Sequence, residues 1–230
     1  QKKNIPIYIL NGRPSFNQDL NKRKIKVIKI PINRKFNIDK NTWVYGCLHE
    51  YNDIDSSLVI SNDNLSVYHG NDNFITQKTL IPFKKKVGKI DVGCIPFAFI
   101  HYYPYLLNSL KKKENKLEGT RLENQFMNYG IQQAKILNPK VIIPFGSNLF
   151  HLDDPTSQMN KAVATPVDFV NYAKKKHKRI KNNYKTMLSG SFCLKNKDTI
   201  RCYYENITSK KFNKMLEFFT IKKRNLLNYK

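Results

Sequence analysis

Acidic residues are scarce: 17 Asp and Glu stand against 41 Lys and Arg, a formal net charge of +24. The imbalance points toward an anionic partner. Arginine is scarce too, at seven of the 41 basic residues, while 27 residues are asparagine. Base readers depend on the guanidinium fork, and the basic runs at 84–86, 111–113, 174–179 and 222–224 fall at expected element ends and in the tail. The excess therefore reads as a chain-wide Lys/Asn/Ile bias, which disfavours nucleic acid as the partner. No run approaches the roughly 18 apolar residues of a membrane span, which excludes a helix crossing a bilayer. No apolar signal-like core lies near Gln1. The four cysteines (Cys47, Cys94, Cys193, Cys202) lack CxxC spacing, which argues against a disulfide scaffold or a zinc ribbon. The expectation is a cytoplasmic protein with reduced thiols.

What is present is patterned. Residues 5–10 (IPIYIL) form a short apolar run closed by Asn11-Gly12 and Pro14, as a buried strand entering a turn does. Residues 24–30 (KIKVIKI) alternate charge with branched apolar side chains, which predicts an outer strand with one wet face. A strand at 42–48 follows, then a hairpin made of 56–61 and 65–68 around Asn62-Asp63-Asn64. Residues 90–96 (IDVGCIP) read as a central strand. Helical spacing is clearest over 121–137, stopped by Asn138-Pro139, and residues 140–144 (KVIIP) form a further buried strand. Thr165-Pro166 opens a capped helix that ends in a Lys cluster. Residues 187–194 and 199–204 are expected as closing strands. The chain thus reads as one α/β domain over 1–206, followed by a basic tail helix within 207–230.

Two loops carry metal-competent side chains directly after strands, where a rigid backbone can hold a ligand. One is Gly46-Cys47-Leu48-His49-Glu50; the other is His69-Gly70-Asn71-Asp72-Asn73. A neutral imidazole and a carboxylate suit hard or borderline divalent metals. Taken singly, a histidine such as His49 is more often a hydrogen-bonded loop residue than a ligand, and an Asp such as Asp72 more often a turn residue. His101 sits in an aromatic loop, where it could line a pocket. His69, and His151 with Asp153 and Asp154 beside it, are candidates for supporting or replacement ligands. His177 lies in the Lys cluster and is expected to be solvated. Cys47 and Cys94 are expected as buried structural thiols. Ser189-Gly190-Ser191 has the form of a turn, too short for a nucleophile elbow.

The order of these segments resembles the metallo-β-lactamase fold, most closely the branch containing CMP-N-acetylneuraminate hydroxylase. The resemblance runs over about residues 5–150, through the strand at 5–10, the loop 49–55, the hairpin 56–72, Ile90-Asp91-Val92 leading to Pro96-Phe97-Ala98, and the segment 138–146 (NPKVIIPFG). It implies an αββα sandwich in which His49 is the later histidine ligand and Asp72 the metal-bridging carboxylate. It also implies a divalent metal, zinc or iron, dinuclear in the complete protein. The family's HxHxDH motif, which belongs upstream of the first strand, has no counterpart in residues 1–230, and Gly146 stands where the last histidine is usual, as in the hydroxylase-like branch. The paired Cys and His ligands of a Rieske cluster are absent as well.

Three readings follow: the C-terminal portion of a longer product, one half of a split protein, or a degenerate homologue. A sandwich incomplete at its N-terminus would leave apolar sheet edges and faces open unless a partner covers them. The expected activity is that of a metal-dependent hydrolase or oxygenase acting on an anionic small molecule such as a sugar nucleotide. The alternative is a catalytically degenerate module that binds a complementary chain or an acidic polymer; a nuclease of the same fold ranks last.

Overall fold

The computed structural model describes residues 5–10, 14–50, 55–98, 103–105, 111–146, 164–188, 190–204, 207–208, 210–215 and 217–218, with the side chains of 14–17 left aside. Strand β1 (Ile7–Ile9) pairs in parallel with β2 (Val27–Lys29), Ile7 opposite Val27. Parallel pairing needs a crossover, and helix α1 (Pro14–Lys22) supplies it. Beyond lies a six-stranded mixed sheet in sequential order, β3 (Lys35–Asn37), β4 (Trp43–Leu48), β5 (Ser56–Ser61), β6 (Ser66–His69), β7 (Val92–Pro96) and β8 (Val141–Phe145). The first four strands form an antiparallel meander, whereas β6, β7 and β8 run parallel. Helix α2 (Gln77–Val87) crosses from β6 to β7, and α3 (Lys112–Leu137) from β7 to β8. Helix α4 (Pro166–Lys176) and a 3-10 turn (Lys178–Asn183) follow.

One sheet face is fully buried. Tyr45, Val59, Tyr68, Ile95 and Ile142 meet Leu80 and Phe83 of α2, Ile131 and Leu137 of α3, and Phe169 of α4. Phe83 sets its ring edge-on to Tyr45 and Tyr68 at 5.4 and 5.8 Å. The other face is covered unevenly. Leu10, just past β1, lies so close over Gly46 that a Cβ there would stand 2.4 Å from Leu10 Cδ1. Further along the same face, Leu58, Val67, His69, Cys94 and Ile143 are only half-buried, and Ile60 and Phe145 are 45% and 37% exposed.

Four expectations need correction. The strand at 90–96 lies next to the edge of the sheet, with β8 outside it. Helix α3 begins nine residues before the periodic stretch, at Lys112, because its first turns carry polar side chains and are secured by a cap instead: the Lys111 amide donates to Glu114 Oε2 at 2.9 Å. Residues 187–194 and 199–204 do not close the main sheet; among the described residues β9 (Phe192–Asn196) and β10 (Thr199–Tyr203) pair only with each other. In that hairpin Cys193 and Cys202 face one another and are joined in a disulfide, so only Cys47 and Cys94 are free thiols. The pairing depends on the register of the ribbon, which leaves no spacing signature in the sequence.

The capped helix start has the expected form. The Thr165 hydroxyl accepts from the Asp168 amide at 3.2 Å, and Asp168 Oδ2 accepts from the Thr165 amide at 3.1 Å. In the tail, residues 210–215 and 217–218 are helical. No helix among the described residues is long and apolar enough to cross a membrane.

Candidate functional site

Strand direction creates the site. Because β4 and β6 both run antiparallel to β5, and β7 and β8 run parallel to β6, four strands end at one edge of the sheet. Loops at the carboxyl ends of sheet strands are where α/β folds place ligands. His49 follows β4, Asp72 follows β6 by three residues, and Gly146 follows β8. His49 and Asp72 therefore occupy the same end of the molecule, separated in strand order by β5 alone.

The Asp72 turn is built from small residues for a steric reason. A Cβ on Gly70 would fall 2.3 Å from Pro96 Cδ and 3.1 Å from the Cys94 carbonyl, so only glycine lets the backbone pass against β7. The Gly70 amide donates to that carbonyl at 2.9 Å, the Asn73 amide donates to the Gly70 carbonyl at 3.1 Å, and Asn71 takes the left-handed conformation with φ 50°. These contacts turn Asp72 outward. Its carboxylate stands beside Gly146, whose φ is 90° and whose missing Cβ would lie 3.5 Å from Asp72 Oδ1. The neighbouring His69 packs edge-on against Phe145, ring centroids 4.3 Å apart. Burial holds the His69 imidazole below its ordinary value, with the charge of Asp72 pulling the other way.

Beneath the turn runs a buried polar network. Ser57 Oγ donates to the Gly70 carbonyl at 2.9 Å, and the Tyr68 hydroxyl lies 3.2 Å from both Ser57 Oγ and Gln133 Oε1. Gln133 Nε2 donates to the Asn73 carbonyl at 3.2 Å, and Asn73 Nδ2 reaches the Cys47 carbonyl at 3.5 Å. Asn73 is fully buried, and its Oδ1 has no hydrogen-bond partner among the described residues. A second tie joins the two loops: Glu50 Oε1 accepts from the Thr76 amide at 2.9 Å and hydroxyl at 2.7 Å, capping α2. Burial raises the Glu50 carboxyl, but the bonds from Thr76 and Thr79 and the nearby His49 leave it below its usual range. The loops that carry His49 and Asp72 are thus fastened to each other twice.

Sequence reasoning missed Ser57, Tyr68, Asn73, Gln133 and the capping role of Glu50. Their partners lie 11 to 65 positions away, so no local pattern marks them.

The remaining candidates separate. His177, expected to be solvated, is half-buried, with Nδ1 2.9 Å from the Tyr184 hydroxyl; burial and the charge of Lys135 lower its pKa. Its place at the end of α4 turns it in toward Tyr184 while the lysines before it face water. Cys47 is 1% exposed, and burial pushes its thiol up to about 12, which makes it inert. Cys94 is half-buried and shifted the same way by burial. Ser191 closes a turn, its Oγ accepting from the Leu188 amide at 3.2 Å. His101, His151, Asp153, Asp154 and Ser189 lie outside the described residues.

A metal centre needs more donors than the described residues of this edge provide. Among the described residues no three His, Cys, Asp or Glu side chains come together as an ion would require. His49 and Asp72 are two donors on neighbouring loops, which does not complete a coordination shell.

No protein-family model matches the chain, and no curated protein matches it. Solved structures that align with its α/β arrangement include a β-hydroxylase and a metallo-β-lactamase-fold protein. A variant of the CmlA β-hydroxylase aligns with a TM-score of 0.51 and 11% identity, over 87% of this chain and 39% of that one. CmlA itself, a diiron β-hydroxylase from Streptomyces venezuelae, aligns at 0.49 and 12%, over 74% and 37%. The metallo-β-lactamase fold protein YhfI from Bacillus subtilis aligns at 0.41 and 13%, over 86% and 65%. At such identity the first likeness speaks for the fold alone. The chain spans about two fifths of the length of CmlA.

Proposed function

We propose that this chain is part of a metal-dependent hydrolase or oxygenase of the metallo-β-lactamase fold, in which His49 and Asp72 are two of the ligands of a divalent metal, zinc or iron. The observation that carries the reading is the double fastening of their loops at the edge where four strands end. The described residues do not hold an ion by themselves, so the reading requires further ligands from polypeptide beyond them, and no catalytic step is assigned. An anionic small molecule such as a sugar nucleotide is the proposed substrate; the net charge of +24 favours its capture. Gly146 beside Asp72, where a histidine is usual, supports the hydroxylase-like branch within the fold.

Metal content of the complete gene product provides the test. His49→Ala and Asp72→Ala are each expected to lower bound metal per chain by half or more, with circular dichroism unchanged. Full stoichiometry in both variants would overturn the assignment of these two ligands.

The half-open sheet face supports an additional β-layer, from the same product or a complementary chain, lying over Ile60 and Phe145. Ile60→Lys and Phe145→Lys are then each expected to cost the complete protein about 1.5–3 kcal/mol, the value of burying a large apolar side chain. Urea midpoints within about 0.5 kcal/mol of wild type, the usual range for open surface, would argue that the face meets water.

A further inference from the structure

At the opposite end of the sheet from the candidate site, the β9–β10 hairpin is tied to the body by charged side chains. Among the described residues its strands pair with no other strand, and their side chains alternate between half-buried (Cys193, Lys195, Ile200, Cys202) and exposed (Phe192, Leu194, Arg201, Tyr203). From the inner face Lys195 Nζ donates to Asp91 Oδ2 at 2.7 Å and also to the Asn64 carbonyl. At the turn Lys140 Nζ donates to the Asp198 carbonyl at 2.6 Å, and Lys89 lies 3.9 Å from the Asp198 carboxylate. The Asp91 side chain is 5% exposed, and its Oδ1 has no hydrogen bond among the described residues. The hairpin thus supplies the nearest countercharge to a buried carboxylate.

Two residues before Lys195, on the same face, Cys193 is bonded to Cys202, with Met187 Sδ 3.6 Å from Cys193 Sγ. An isolated two-stranded ribbon is marginal in water, and a cross-link stabilises it by restricting the open states. We infer that β9–β10 is a redox-sensitive clip: with Cys193 and Cys202 joined it clamps Lys195 onto Asp91, and with both as thiols it opens and exposes that carboxylate.

A dithiol reductant drives the opening. One of its thiolates attacks a sulfur of the pair, breaking the S–S bond, forming a mixed disulfide and releasing the other cysteine as a thiolate that takes up a proton. The second reductant thiol then closes its own ring disulfide and frees the remaining cysteine. Two electrons pass from the dithiol to the cysteine pair. The other two cysteines, Cys47 and Cys94, are unpaired, so the reductant has no second disulfide to act on.

The experiment uses the full chain purified without reductant. Alkylation in denaturant followed by mass measurement is expected to find two free thiols. Limited trypsin digestion at Lys195, Lys197 and Arg201, with and without dithiothreitol, is expected to run at least ten-fold faster after reduction. The Cys193→Ser/Cys202→Ser variant is expected to cleave at the reduced rate under both conditions, with exchange of the β9–β10 amides accelerated in parallel. Four free thiols in the air-oxidised protein would overturn the inference. So would equal cleavage and exchange rates in the two redox states.

Discussion

Replacing Lys195 by methionine is expected to cost about 3 kcal/mol, the low end for breaking a buried ion pair, because it strands Asp91 in the interior. Lys140, 3.8 Å from Asp91 Oδ1, tempers the loss without replacing the direct bond. The pH dependence identifies the cause. Burial pushes the Asp91 carboxyl up, but the Lys195 hydrogen bond, the Ser66 amide and the charges of Lys195 and Lys140 outweigh it and hold the group below its ordinary 3.8. A carboxyl depressed in this way contributes stability that is complete above the unfolded value and is lost as pH falls through the folded one. Without Lys195 the balance reverses, the Asp91 carboxyl rises, and keeping it ionised becomes a cost. The deficit of the variant is therefore expected to be largest at neutral pH and to shrink on acidification, as urea midpoints between pH 3 and 7 would register. The Asp91→Asn/Lys195→Met double variant is expected to recover most of the loss, since no buried carboxylate is then left unpaired and Lys140 is open enough to be solvated. A deficit independent of pH would assign the effect to lost packing instead.

The second large effect is expected at Gly70. Alanine there places a Cβ 2.3 Å from Pro96 Cδ, against a proline ring that cannot rotate away, and 3.1 Å from a carbonyl that accepts the Gly70 amide. Strands β6 and β7 must part locally, at about 1–3 kcal/mol for overpacking. The site should register the shift separately from stability. Moving Asp72 away removes the charge that partly offsets burial at His69, so the imidazole is expected to titrate lower still in the variant. Proton NMR of the His69 ring measures this directly. A variant with wild-type stability and an unmoved His69 titration would show that the turn accommodates the methyl group.

Much of the framework around the candidate site was legible because its parts are local. Residues 42–48 and 56–68 carried a strand and a hairpin, and both loops that leave that region were marked by His49 and Asp72. His69, a supporting candidate in the sequence, feels the charge of Asp72 three residues on, but its ring packs against Phe145, 76 positions along the chain, a contact that no local pattern marks. The length of α3 was not legible for the converse reason. Its N-terminal turns lack an apolar stripe, and Glu114 capping decides where it starts. The two-stranded β9–β10 ribbon read as a pair of closing strands because alternation reveals a strand without revealing its partner.

The sequence alone determined the alternation of strands and helices, the α/β class, and which loops bear an imidazole and a carboxylate, since backbone propensity, side-chain periodicity and turn chemistry act within a few residues. Only the tertiary structure decided that four strands end at one edge, that Asn73 and Glu50 fasten the two loops together, and that Cys193 faces Cys202 above the buried pair of Lys195 and Asp91. Those arrangements follow from strand pairing and burial, which join residues far apart in the chain and depend on packing free energy that no single segment holds.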